Sequence, residues 1–190
     1  SGVASGVGLT RYQDTGGPPT ALGSPFALSE GAHELAYQSL DNVANLELLR
    51  STNAWIDASA PISAFAIGTP SHTAPSGTRY ITQVTPVTFS AADPALRSGQ
   101  PGSGVNRIEL TVGGRAFATY AFAPTFVEGS HALLYRSVDN VLNQEAARTL
   151  EVTSDNTAPA LTFTFNRAPV VRPPASEPWF PADFSIIWSA

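Results

Sequence analysis

The stretch EGAHELAYQSLDNVANLELLR, Glu30 to Arg50, returns as EGSHALLYRSVDNVLNQEAAR, Glu128 to Arg148, with twelve of twenty-one positions identical at an offset of 98 residues. Its residues alternate with a period of two. His33, Leu35, Tyr37, Ser39 and Asp41 share one side, as do His131, Leu133, Tyr135, Ser137 and Asp139 in the second copy. Such alternation marks a half-buried β-strand, because successive side chains point to opposite faces of a sheet. Leu35, Tyr37, Leu133 and Tyr135 are expected to face a core, with the two tyrosines in like surroundings. The opposite side carries Gln38 or Arg136 and reads as partly solvated.

Each strand ends in Asp-Asn-Val-x-Asn: Asp41, Asn42 and Asn45 in one copy, Asp139, Asn140 and Asn143 in the other. A chain leaving a ladder has N–H groups without partners. Asp and Asn side chains accept from backbone N–H groups one or two residues on, so these six residues read as structural turns. Val43 and Val141, between them, are expected to fold inward and plug the end of the core.

Further landmarks keep the same register. Ser5-Gly6-Val7 answers Ser103-Gly104-Val105, Asp57–Pro61 (DASAP) answers Asp155–Pro159 (DNTAP), and Phe65 answers Phe163. A fixed period of this kind is the mark of a repeat architecture. Residues 58–155 make one complete unit. Residues 1–57 match its later part, with the first strands missing, and residues 156–190 match its opening strands. The chain reads as a window cut out of phase across a tandem array. Its partial ends are completed by more of the array, by each other, or by a neighbouring chain through strand donation.

Further strand candidates in the unit are 62–68, 79–83, 86–92, 106–112, 115–123 and 148–154, with Gly113-Gly114 as a two-residue hairpin. Residues 173–184 hold too many prolines for a central strand and read as an edge or loop. About seven short strands per unit imply an all-β chain of tandem Ig-like antiparallel sandwiches.

Composition narrows the roles. The net charge is -5, all ten cationic residues are Arg and they are scattered, which leaves no basic footprint for nucleic acid. No apolar run is long enough for a membrane span. Cysteine is absent, removing disulfides, thiol nucleophiles and thiolate metal ligands together. His33, His72 and His131 show no chelating spacing, and His33 and Ser39 lie about 20 Å apart along one strand. Glu30, Glu34 and Glu47 fall in or near turns, and Glu34 becomes Ala132 in the second copy. No catalytic residue is assigned. The rival reading of the repeated carboxylates and amides is a calcium site, since Ca²⁺ takes six to eight hard oxygen ligands. Its candidate ligands are Asp41, Asn45, Asp57, Asp93, Asp139, Asn143 and Asp155. An ion at a unit boundary would stiffen the junction. Trp55, Trp179 and Trp188 offer either core filling or, if exposed, a stacking surface for a sugar polymer.

The order SGV, EGxHxLxYxSxDNVxN, DxxAP resembles the bacterial Ig-like tandem repeats of large secreted and cell-surface proteins. The resemblance falls on Glu30, Gly31, His33, Tyr37, Ser39, Asp41 and Asn45, and on Glu128, Gly129, His131, Tyr135, Ser137, Asp139 and Asn143. That family often has Gly before the last Asn, where this chain has Ala44 or Leu142, so no left-handed turn is expected there. The resemblance implies an extracellular, non-catalytic spacer, stalk or adhesion module that meets neighbouring units or further copies, as in a repeat array or fibre. Alternatives are an accessory carbohydrate-binding domain beside a secreted enzyme and a protomer that self-assembles by strand donation.

Overall fold

The computed structural model describes residues 4–167, 170–171, 178–180, 183 and 185–189, and the chain divides into two compact units, Ser1–Ser154 and Asp155–Ala190. In the first unit, β1 (Val7–Asp14), β2 (Thr20–Ala21), β3 (Gly31–Asp41) and β4 (Arg50–Ile56) form one antiparallel sheet in the order β2-β1-β3-β4. Then follow β5 (Ile62–Ile67), β6 (Ser71–Thr73), β7 (Arg79–Ile81), β8 (Val87–Ala92), β9 (Val105–Val112), β10 (Ala118–Thr119), β11 (Gly129–Asp139) and β12 (Arg148–Ser154). β5 and β8 pair with each other, while the rest build a six-stranded sheet, β10-β9-β11-β12-β7-β6. The architecture is all-β, with several antiparallel sheets consistent with an Ig-like sandwich. One pairing departs from the expected pattern: β12 and β7 run parallel, Thr153 opposite Tyr80.

The repeat is visible in the ladders. Tyr37 stands between Tyr12 and Arg50, and Tyr135 stands between Leu110 and Arg148. In the second copy the β5–β8 pair roofs this face, and Ile81, Val87, Phe89, Phe126, Leu133, Tyr135, Leu150 and Val152 make the core. Phe65 and Phe89 approach the Tyr135 ring at 6.0 and 5.1 Å between centroids. Burying each such side chain contributes about 1.5–3 kcal/mol.

Clamping reinforces the roof. Glu145 accepts from the Ser63 N–H (3.1 Å) and hydroxyl (2.5 Å), and Arg148 donates to the Ser63 carbonyl (3.0 Å), tying β5 to the opposite sheet. Burial pushes the Glu145 carboxyl up, but the Ser63 and Ser137 donors and Arg148 hold it below the usual range.

The first copy lacks such a roof among the described residues, which corrects two expectations. Tyr37 is 39% exposed against 4% for Tyr135, and Leu35 is only half-buried where Leu133 is fully buried. Like register has not brought like surroundings. Val43 and Val141 also point outward, exposed rather than plugging the core. Of the strand expected over 115–123, only Ala118–Thr119 pairs, because Gly113 and Gly114 both turn left-handed and the chain re-enters the ladder late.

In the second unit, β13 (Thr162–Phe165) pairs with β16 (Ile186–Ser189), and β14 (Val170–Val171) pairs with β15 (Pro178–Trp179). Of the proline-rich stretch 173–184, residues 173–177, 181, 182 and 184 lie outside the described residues.

The turn before the last Asn needs a correction as well. Ala44 and Leu142 have φ of 70° and 73°, so the left-handed conformation is present without glycine. A Cβ in that region costs about 1–2 kcal/mol. Both side chains are exposed, so removing them sacrifices little burial. Ala44→Gly and Leu142→Gly are each expected to stabilise the protein by about 0.5–1 kcal/mol, read as an upward shift of the urea midpoint at constant slope.

Candidate functional site

The two Asp-Asn-Val-x-Asn corners are built alike, bond for bond. Asp41 Oδ1 accepts from the N–H groups of Val43 (3.0 Å) and Asn45 (2.8 Å), while Asn45 Nδ2 donates to Oδ2 (2.8 Å). Asp139 Oδ1 accepts from Val141 (3.0 Å) and Asn143 (2.7 Å), and Asn143 Nδ2 donates to Oδ2 (2.7 Å). Asn42 and Asn140 each send Nδ2 to the carbonyl of the SGV serine, Ser5 at 2.7 Å and Ser103 at 2.8 Å. The Asn45 and Val43 bonds hold Asp41 below the usual carboxylate range.

Among the described residues, only the second corner gathers further carboxylates. Asp57, Asp93 and Asp139 each place an oxygen within 4.8 Å of the others. Three different elements supply them: Asp57 lies between β4 and β5, Asp93 follows β8, and Asp139 ends β11. Asp57 accepts from Ser59 N–H (3.1 Å) and Ser103 N–H (2.6 Å), and its carbonyl accepts from Asn143 Nδ2 (3.1 Å). Asp93 Oδ2 accepts from Gly104 N–H (2.6 Å). Asp93 Oδ1 and the Ser103 hydroxyl oxygen are buried and have no hydrogen-bond partner. Gly102 permits this approach, since a Cβ there would sit 2.4 Å from the Pro94 carbonyl and 2.6 Å from Asp93 Oδ2.

The electrostatics follow. Burial pushes the Asp93 carboxyl up, the Gly104 bond resists, and the neighbouring Asp57 and Asp139 push it further. Burial also raises Asp57, but Ser103, by its N–H and its side chain, and the Ser59 N–H outweigh it and leave the carboxyl below its ordinary value. Three converging carboxylates with an orphaned oxygen and hydroxyl among them suit a hard divalent cation such as calcium. Asp57, Asp93, Asp139 and Ser103 are the residues that would hold it, with charge compensation as the chemistry the ion supplies.

Of the other candidate ligands, Asn143 adjoins the group through its bonds to Asp57 and Asp139. Asp41 and Asn45 lie in the first corner and are not members of the group. Asp155 accepts from Thr157 N–H (3.1 Å) as Asp57 does from Ser59, and is not a member of the group. The sequence reading passed over Ser103 and Gly104 as ligand-positioning residues, although the recurrence of SGV ahead of each corner was their signal.

Glu30 also serves this junction: its carboxylate accepts from the Ser59 hydroxyl (2.6 Å) and lies 3.5 Å from Arg97. His33 is occupied at both ring nitrogens, by the Ser29 carbonyl (2.9 Å) and the Asp14 carboxylate (2.8 Å). Those two contacts, the carbonyl foremost, hold the imidazole above its ordinary pKa. Trp55 is 70% exposed, on the sheet side opposite Tyr37. The side chains of Trp179 and Trp188 lie outside the described residues. Among the described residues no helix is long and apolar enough to cross a membrane.

No family model matches the chain, and no curated protein does. Among solved structures, the fibronectin(III)-like modules of Clostridium thermocellum CbhA share 10% identity over 81% of this chain and 81% of that one, at a TM-score of 0.39. A likeness of that size carries no argument about role.

A raised folded pKa means that Asp93 contributes stability fully present below the ordinary aspartate range and lost as pH rises through its raised value. In chelator, Asp93→Asn is therefore expected to be more stable than the parent at neutral pH. The advantage should shrink on acidification, as followed by thermal melts from pH 4 to 8.

Proposed function

We propose that this chain is a non-catalytic structural segment of an extracellular repeat array, in which a calcium ion at the Asp57 group stiffens the joint between one repeat and the next. The observation that carries this reading is the orphaned, buried Asp93 Oδ1 beside two further carboxylates at the joint itself. Asp57 belongs to the five-residue DASAP connection, yet its side chain and carbonyl are bonded to Ser103 and Asn143 of the following sandwich. A connection fastened in this way has little slack, and Pro61 limits it further. Spacer and stalk roles need that property; a surface-adhesion role is compatible with it.

Calcium binding only to the folded chain stabilises it by about 2.7 kcal/mol at a hundredfold excess over Kd, which is about 5–10 °C for a chain of this length. A melt in calcium against one in chelator should show that gap, and Asp93→Asn should abolish it. Coincident melts of the parent protein would sink the cation joint.

A second reading has one observation in its favour. The 70% exposure of Trp55 offers an indole face for stacking on a sugar ring, as an accessory polymer-binding domain requires. Retardation in polysaccharide-containing gels that Trp55→Ala abolishes would establish it; equal mobility of the two proteins would remove it.

A further inference from the structure

Apart from the Asp57 joint, β5 on one sheet and the β6–β7 hairpin on the other wall a cleft of about 240 Å³. Alternation decides what faces it. Ile81 is buried in the core, so Arg79, two residues earlier on β7, stands on the same side, at the open margin between the sheets, and stays exposed. Its guanidinium lies over the Phe65 ring, 5.6 Å from the centroid. Thr73 and Ser71 pair with Arg79 and Ile81 across the hairpin and bring two hydroxyls to that side. His72 and Tyr80, opposite one another, stack at 6.4 Å between centroids and complete the lining.

Arg79 is the one fixed charge in the cleft, and it has no carboxylate partner among the described residues. Arg107, Arg136 and Arg148 of the same sheet each pair with a glutamate. The ladder does not call for an arginine here. Across β14–β15 the residue at this register is Pro178, opposite Val171 as Arg79 is opposite Thr73. A guanidinium backed by an aromatic face keeps its fork of N–H donors free for a planar anion. The walls are also fixed beforehand. The buried Thr85 hydroxyl donates to the Pro70 carbonyl and accepts from the Thr82 N–H (2.8 Å), and the Gly68 N–H donates to the Pro86 carbonyl (2.8 Å). A ligand entering such a cleft is spared the cost of ordering it.

We infer that the cleft between β5 and the β6–β7 hairpin binds a carboxylate-bearing sugar ring of an acidic polysaccharide. Arg79 holds the carboxylate, Tyr80 and His72 offer ring faces for stacking, and Ser71 and Thr73 meet the sugar hydroxyls. The volume lies below the roughly 300–1,000 Å³ of drug-sized sites and suits a single ring. A single guanidinium likewise matches a single negative charge. A peptide strand is the poorer occupant. β6 is the edge of its sheet, but it is three residues long, between Pro70 and Pro75, and so short an edge bracketed by proline does not take up a strand.

Affinity electrophoresis of the full chain in chelator tests this with calcium kept from the joint. Polygalacturonate cast in the gel is expected to retard the wild type, and neutral hydroxyethylcellulose is not. A chain of net charge -5 is repelled by a polyanion, so retardation reports a site and not bulk charge. Arg79→Gln is expected to weaken retention at least about tenfold, and Arg79→Lys, which keeps the charge without the fork, to fall between the two. Free glucuronate should release the wild type where glucose does not. Equal mobility with and without polygalacturonate overturns the inference, as does equal retardation by the neutral polymer or retention that Arg79→Gln leaves intact. Release by polyglutamate as readily as by glucuronate also overturns it, and makes the ligand an acidic peptide. Far-UV circular dichroism shows whether Arg79→Gln folds. If it does not, Arg79→Lys decides, and retention equal to that of the wild type counts against the site. The calcium-dependent melt reads the joint separately, so either proposal can fail without the other.

Discussion

A backbone that leaves a β-ladder must find new acceptors for its N–H groups, and in each repeat one aspartate carboxylate meets that demand. Asp139 is fully buried, and both its oxygens accept from the loop that follows it. A buried charge is tolerable only when so completely bonded. The loop's shape follows from those bonds. They set Leu142 left-handed and aim Asn143 back at the Asp57 and Ser59 carbonyls. The joint between repeats is therefore assembled on the corner, and the cation group is an extension of it.

Seven of the twelve identities between the two copies sort into three physical jobs. Asp, Asn and Val make the corner; Glu145 with Arg148 makes the clamp on the roof; Glu30 reaches forward to Ser59 at the joint. The apolar positions around them are free to drift, as Tyr12 for Leu110 and Thr52 for Leu150 show. Hydrogen-bond geometry tolerates no substitute of another length, whereas a core accepts any set of side chains that fills the volume. The polar skeleton is what the copies hold in common, and the packing is where they differ.

Alternation in Glu30–Arg50 was enough to place β3 and β11, and the polar cluster after each was legible as a corner, because both are local patterns. The left-handed turn was misread because the missing glycine was taken as a veto, when about 1–2 kcal/mol of strain is outweighed by several bonds around one carboxylate. The burial of Tyr37 was misread because a repeat fixes register and says nothing of what lies across the interface. Asp93 was legible as a candidate ligand by residue type, but not its partners: it meets Asp57 and Asp139 only after three separate elements converge. The parallel contact of β12 with β7 was equally hidden, since a three-residue strand has no periodicity to read.

That short parallel ladder has a mechanical meaning. Tension along the chain enters the sandwich at the Asp57 joint and leaves after Ser154, where β12 has just paired with Tyr80 and Ile81. The load there runs along the strands, so the bonds between them are sheared together and do not peel one by one. In the array proposed above, a tether built from such links would yield abruptly and scarcely lengthen beforehand.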